Sequence, residues 1–318
     1  MAYLLSSRRR VIHLSIAASS VVLLSHAPAI AEAEPQLGQV EVPDGVLSYQ
    51  LMGSGPTIVL LAGGPGASSD YLLPLARMLA ETHRVVLPQG RGMGRSTVSR
   101  YDAGTINFPT YVADIEALRL HLSVERWSVL GHSWGSWWAL GYAAAHPEHV
   151  ATMVLLDGTY PDAATVKTRN EQRAAARSPE QTTALTYRSE PQRIADDPDK
   201  ANLERFKAML PSFFYDRSKG EKFVRDLSQD DFSAAVTRLL LADTPKVYEL
   251  VPRLRGSEIP TLIMQGQQDL LGDSGPQLHT LLPSSKLVFI PESGHLPWIE
   301  QPQTFHTELL EFLSKKKV

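Results

Sequence analysis

The sequence predicts an α/β architecture: a mostly parallel sheet with helices on both faces, into which a helical segment is inserted late in the chain. Three observations carry this reading. Short apolar runs alternate with longer stretches of helical spacing, the pattern of strands joined by crossover helices. Glycine-rich loops follow several of the apolar runs, at the places where such sheets present reactive groups. From Pro161 to about Glu258 the alternation gives way to sequence rich in Arg, Glu, Gln and Ala, and it resumes at Thr261.

Val40 to Val42 and Leu47 to Leu51, separated by Pro43-Asp44-Gly45, read as an opening β-hairpin. Thr57 to Leu61 is the next strand and runs into Ala62-Gly63-Gly64-Pro65-Gly66. A helix from about Ser69 to Glu81 and a strand from Arg84 to Leu87 lead to Gln89-Gly90-Arg91-Gly92-Met93-Gly94-Arg95-Ser96. Thr110 to Leu122 carries apolar residues at Val112, Ile115, Leu118 and Leu122, a helical spacing. Trp127 to Leu130 is a buried-strand candidate, and the alanine-rich stretch Gly135 to Ala145 reads as a helix. Ala151 to Leu156, Thr261 to Gln265 and Lys286 to Ile290 supply the remaining strands. The expected organisation is a core of 34–158 and 259–318 with a helical cap at 159–258, a lid suited to excluding water and selecting substrates. Within it, Leu203, Phe206, Leu210, Phe213 and Phe214 read either as the cap's own core or as a lining of the site.

Between the strand at Trp127 and the helix at Gly135 lies Gly131-His132-Ser133-Trp134-Gly135. A serine at such a turn is forced into a strained backbone conformation, and glycines two residues either side leave room for it. Because G-x-S-x-G arises by chance in roughly one chain in ten of this length, the motif needs partners. A serine hydroxyl becomes a nucleophile only when a base takes its proton and a third group orients that base. The partners follow in the order acid, then histidine: Asp269 in Gly266-Gln267-Gln268-Asp269, and His295 in Gly294-His295-Leu296-Pro297-Trp298. Asp157, also just past a strand end, is the rival for the acid role. Trp137, Trp138, Arg91, Arg95 and Glu300 read as packing or loop-bracing residues.

These motifs together resemble the α/β-hydrolase superfamily. The histidine loop matches G-H-x-P-x-x-E-x-P from Gly294 through Glu300 to Pro302. Ala62 to Gly66 is similar to the H-G-G-P-G oxyanion loop of the proline iminopeptidase family, and Gln89 to Ser96 to its D-Q-R-G-x-G-x-S loop. Two positions depart from it, Ala62 for the leading histidine and Gln89 for the leading aspartate, and both lost side chains would brace loops. The resemblance implies a serine hydrolase in which Ser133, Asp269 and His295 form the triad and the N–H groups of Gly64 and Trp134 form the oxyanion hole. It further implies release of an amino-terminal proline or other small apolar residue, with cap carboxylates holding the substrate's ammonium group. Glu204, Glu171 and Glu249 are the candidates. The family's cap carries a Trp and Glu rich segment, whereas Trp127, Trp134, Trp137, Trp138 and Trp298 all lie outside this one. A carboxylesterase or lactonase with the same triad is therefore the alternative, and a non-catalytic binding protein on the same fold the remote one.

Composition excludes several classes. At 318 residues with 43% apolar content the chain can bury a large core. A net charge of -3, with no basic patch interleaved with aromatics, gives no case for nucleic acid. The absence of cysteine removes disulfides, thiolate catalysis and cysteine-ligated metals. His146 and His149 read as helix-end residues, no HExxH spacing occurs, and no metal or cofactor is expected. The expected partners are a small-molecule or short-peptide substrate and water. Arg8, Arg9 and Arg10 precede an apolar run from Val11 to Leu24, with small-residue sites at Ala29-Ile30-Ala31 and Ala31-Glu32-Ala33. Residues 1–33 thus read as a cleaved signal peptide of the general secretory or twin-arginine type. A periplasmic or secreted protein, with no stable membrane insertion after cleavage, is expected.

Overall fold

An antiparallel hairpin of β1 (Gln36–Val42) and β2 (Gly45–Met52) opens the fold, its turn closed by Asp44 at φ 62°. The computed structural model describes residues 34–158, 163–175, 177–243, 251–272 and 274–314, so the expected leader 1–33 and Glu249 lie outside the described residues. β3 (Thr57–Leu61), β4 (Arg84–Pro88), β6 (Trp127–His132), β7 (Val150–Leu156), β8 (Thr261–Gly266) and β9 (Ser285–Ile290) fall within two residues of their expected bounds. The two-residue strand β5 (Thr97–Val98) pairs with β2 and is too short to show in a hydrophobic pattern.

Among the described residues the sheet runs β1-β2-β4-β3-β6-β7-β8-β9. β2 pairs antiparallel with β4, and every pair from β4 through β9 is parallel. Parallel pairing puts the carboxyl ends of β3, β6, β7, β8 and β9 along one rim, where loops can converge. Alternate residues of β6 serve opposite layers. Val129 joins a cluster with Trp138, Val112 and Leu118, while Leu130 joins one with Leu75, Leu79 and Phe305.

Each face is covered by helices whose sequences fit their surroundings. α1 (Leu73–Ala80) and the C-terminal helix Pro302–Ser314 lie on one face and α2 (Phe108–His121) and α3 (Gly135–Ala145) on the other. α2 begins at Phe108 because Asn107 caps it, its side chain accepting the Thr110 N–H while Thr110 returns a bond to the Asn107 N–H. α3 is buried on nearly every side, which its run of Trp, Ala, Leu and Gly permits. Trp138 stacks between Phe108 and Tyr111 at 4.8 and 4.6 Å.

Between β7 and β8 the described chain is helical: α4 (Ala163–Ala175), α5 (Pro179–Arg188), α6 (Pro191–Asp196), α7 (Pro198–Met209), α8 (Arg217–Phe223) and α9 (Ala234–Asp243). The apolar series of this insertion divides its labour. Phe206 stacks on Phe232 at 4.6 Å within the insertion, whereas Phe214 enters the same cluster as Leu60 and Leu130 of the sheet. No described helix is long and apolar enough to cross a membrane.

Arg91 shows how the loop after β4 is held. Its guanidinium makes two bonds to Asp114, at 2.6 and 2.7 Å, and a third to the Pro43 carbonyl, with both side chains buried. Arg91→Ala would leave a buried carboxylate uncompensated and is expected to cost about 3–5 kcal/mol of stability, measured by urea unfolding. A change below ~1 kcal/mol would mean that water relieves Asp114.

Candidate active site

Ser133 sits between β6 and α3 at φ 54°, a left-handed conformation uncommon for a residue with a side chain. Its N–H donates to Leu156 O at 2.9 Å, tying the turn to β7. Gly135 makes the turn possible, since a Cβ there would strike the Leu61 carbonyl of β3. Gly63 is pressed against the serine in turn, its Cα so close that an added Cβ would lie 2.6 Å from Ser133 Cβ. The glycine loop after β3 thus lies directly over the serine.

The acid and the histidine lie on the loops that follow β8 and β9. His295 Nδ1 is 2.8 Å from Asp269 Oδ2, with both side chains buried. The second oxygen of Asp269 accepts the Leu271 N–H at 2.8 Å. Gln265 closes the acid loop, its Nε2 donating to Gly272 O and its Oε1 accepting from Gly275 N. His295 packs its ring 4.7 Å from that of His132, the residue preceding the serine. The structure therefore bonds His295 to Asp269 rather than to the rival carboxylate Asp157, and packs the imidazole against His132, the residue next to Ser133. Asp157 lies beside them, one of its oxygens within 4.8 Å of both an Asp269 oxygen and a His295 ring nitrogen.

A second chain of bonds crosses the site and is not legible in the sequence motifs. His132 Nε2 is 3.0 Å from the His295 carbonyl oxygen, which can only accept, so this nitrogen carries the proton. Burial, reinforced by His295, holds the His132 imidazole well below its usual pKa and hence neutral. Its Nδ1 is then an acceptor, and Tyr71 Oη donates to it at 2.7 Å while accepting the Gly63 N–H at 2.6 Å. Burial also pushes the Tyr71 phenol up, against the Gly63 bond, so it stays protonated. The glycine loop, the serine strand and the histidine loop are linked by this one series.

The helical insertion grips the histidine loop from above. His295 N–H donates to Phe213 O at 2.8 Å, and the Phe213 ring stands edge-on to the imidazole with centroids 6.0 Å apart. Glu300, in the short helix Pro297–Glu300, accepts the Gly294 N–H at 2.6 Å and the Asp216 N–H at 2.9 Å. Lys219 Nζ adds a bond to the Glu300 carbonyl at 2.9 Å.

The remaining sequence candidates fall as follows. Gln89, in the position where the resemblance leads one to expect aspartate, braces the neighbouring loop: Oε1 accepts the Ser69 N–H at 3.0 Å and Nε2 donates to Asp70 at 2.9 Å. Trp134 and Trp137 pack edge to face at 4.5 Å and are buried. Arg95 is exposed. Glu204 accepts a bond from Arg193 at 2.7 Å on the insertion, and exposed Glu171 pairs with Lys167 at 4.0 Å. Glu249 lies outside the described residues.

Residues 56–302 match the family model described as alpha/beta hydrolase fold. A proline iminopeptidase of Xylella fastidiosa is 42% identical over 113 residues, which is 34% of this chain and 35% of that protein, so the match spans about a third of the relative's length. A proline iminopeptidase of Lactobacillus helveticus is 27% identical over 281 residues, 84% of this chain and 94% of its own. Among solved structures, a thermophilic esterase from Thermogutta terrifontis superposes with a TM-score of 0.66 at 24% identity, covering 88% of this chain and 98% of the esterase. That likeness carries the fold alone.

Proposed function

Because this chain belongs to the α/β-hydrolase fold family, with proline iminopeptidases among its relatives, we propose that it is a serine hydrolase that cleaves an amide or ester through an acyl-enzyme. The observation that carries the reading is the Asp269–His295 bond beside a serine held at positive φ. In this reaction His295 Nε2 takes the proton of Ser133 Oγ as the oxygen attacks the substrate carbonyl. Asp269, bonded to Nδ1, keeps Nε2 free of its own proton and balances the imidazolium that forms. The Gly63 N–H is occupied by Tyr71, so in the glycine loop the oxyanion donor falls to Gly64, with Trp134 N–H as the second. His295 then protonates the leaving group, and water attacks the acyl-enzyme by the same route in reverse.

An aminopeptidase of the proline iminopeptidase type is the preferred specificity, on the resemblance of the two glycine loops and on the relatives. Ester or lactone hydrolysis is a second reading with an observation of its own. Glu204 and Glu171, candidates to hold a substrate ammonium, are engaged with Arg193 and Lys167. An assay of the protein on proline and alanine anilides beside short-chain nitrophenyl esters separates the two. Faster turnover of the anilides is the expected result, and ester turnover without anilide cleavage would establish the second reading. A fluorophosphonate probe is expected to label Ser133 in either case. Failure to label the folded protein would remove the serine-hydrolase reading.

A further inference from the structure

Asp157 is a buried carboxyl beside the Asp269–His295 pair to which the reaction above gives no task. It stands one residue past β7, and β7 pairs in parallel with β8, Leu156 opposite Met264, so the chains leaving the two strands run side by side. Its N–H donates to Met264 O at 2.8 Å and its Oδ1 accepts the Gly266 N–H at 2.7 Å. Its backbone is held at φ 44°. The other oxygen, Oδ2, is fully buried and without a hydrogen-bond partner, although Asp269 and His295 lie within 4.8 Å.

Two carboxylates this close and out of water do not both ionise. The proton's place follows from the donors around each. Asp269 accepts from His295 and from the Leu271 N–H, which favours its charge, whereas Asp157 has only the Gly266 N–H. We propose that Asp157 is a positioning residue, a neutral carboxylic acid whose Oδ2–H donates to the Asp269 carboxylate and holds it toward His295. Burial, then the Asp269 charge, push the Asp157 carboxyl well above its usual range, with Glu300 acting in the same sense and the Gly266 N–H against it. Among the described residues, Asp269, His295 and Glu300 are the titratable groups that act on it. The carboxylate pair thus carries a single negative charge, matched to one imidazolium.

Asparagine mimics the protonated acid: Oδ1 can accept from Gly266, Nδ2 can donate to Asp269, and the residue tolerates positive φ. Asp157→Asn is therefore expected to keep kcat within about threefold of wild type, whereas Asp157→Ala, which loses the donor to a charged group, should lower kcat by roughly 10–100-fold with KM little changed. Equal losses in both variants would overturn the proposal, since they would mean that the Asp157 charge is used. So would an alanine variant with wild-type kcat. The pH dependence has a definite sign. Above the ordinary carboxylate range the folded protein keeps a proton that the unfolded chain releases, so wild-type stability falls as pH rises toward the native value. The Tm advantage of Asp157→Asn should grow over that span; a difference independent of pH would count against a bound proton.

Infrared spectra give a readout that needs neither activity nor a folded variant. Wild-type protein labelled with 13C at aspartate carboxyls should show the C=O stretch of a protonated acid at pH 8, and its absence would overturn the proposal. The kinetic half rests on the serine-hydrolase reading and the infrared half does not. A protonated aspartate in a protein that fails to label at Ser133 would therefore refute that reading alone.

Discussion

Ser133→Ala is expected to lower kcat by about a millionfold, the scale seen when the nucleophile of a serine triad is removed. The effect should be this large because the other parts of the site have no independent route. His295 and Asp269 can take a proton from water, but water is not held against the glycine loop as Ser133 is by its packing on Gly63. The substitution removes one oxygen and leaves the bond from residue 133 N–H to Leu156 O, so stability should change by less than ~1 kcal/mol. Single-turnover assays with the best substrate of the anilide and ester panel measure the loss, and circular dichroism checks the fold. Retention of more than about a tenth of wild-type kcat would mean that the chemistry does not pass through this serine.

Asp269→Asn is expected to reduce kcat by about ten-thousandfold while leaving the fold intact. The structure supplies the reason. One oxygen of Asp269 accepts the Leu271 N–H and the other faces His295 Nδ1. Asparagine has one carbonyl oxygen. If that oxygen keeps Leu271, the amide NH2 faces His295 and requires Nδ1 to accept, so the ring proton moves to Nε2 and the base can no longer receive the serine proton. Measuring kcat for Asp269→Asn beside Asp157→Asn distinguishes their tasks. A large loss at 157 with little at 269 would reverse the assignment.

The strands and the serine, acid and histidine loops were legible because each is a local pattern: an apolar run closed by a short motif at fixed spacing. Gly131-His132-Ser133-Trp134-Gly135 names its own turn, and Gly294 to Pro302 its own loop. What the sequence did not disclose depends on distant residues. Tyr71 is 61 positions from His132, and nothing near either marks the bond between them. Phe213 lay in a series with two readings; Phe206 packs within the insertion while Phe213 meets the histidine, a difference set by the fold rather than by spacing. Asp157 and Asp269 stood as alternatives because chain order cannot show that parallel pairing of β7 with β8 places both at one site.

The grip of the insertion on the histidine loop makes this region a poor unit of exchange. Phe213 O holds the backbone of His295, while Asp216 and Lys219 are tied through Glu300 to the glycine before it. A chimera that imports another relative's insertion would also withdraw the support that holds His295 in place. Recombination would have to place the backbone carbonyl of residue 213 against His295 N and the N–H of residue 216, which cannot be proline, against Glu300. Under the proposed serine-hydrolase reading, an exchange that spans Leu210 to Lys219 would therefore alter rate along with any change in substrate range.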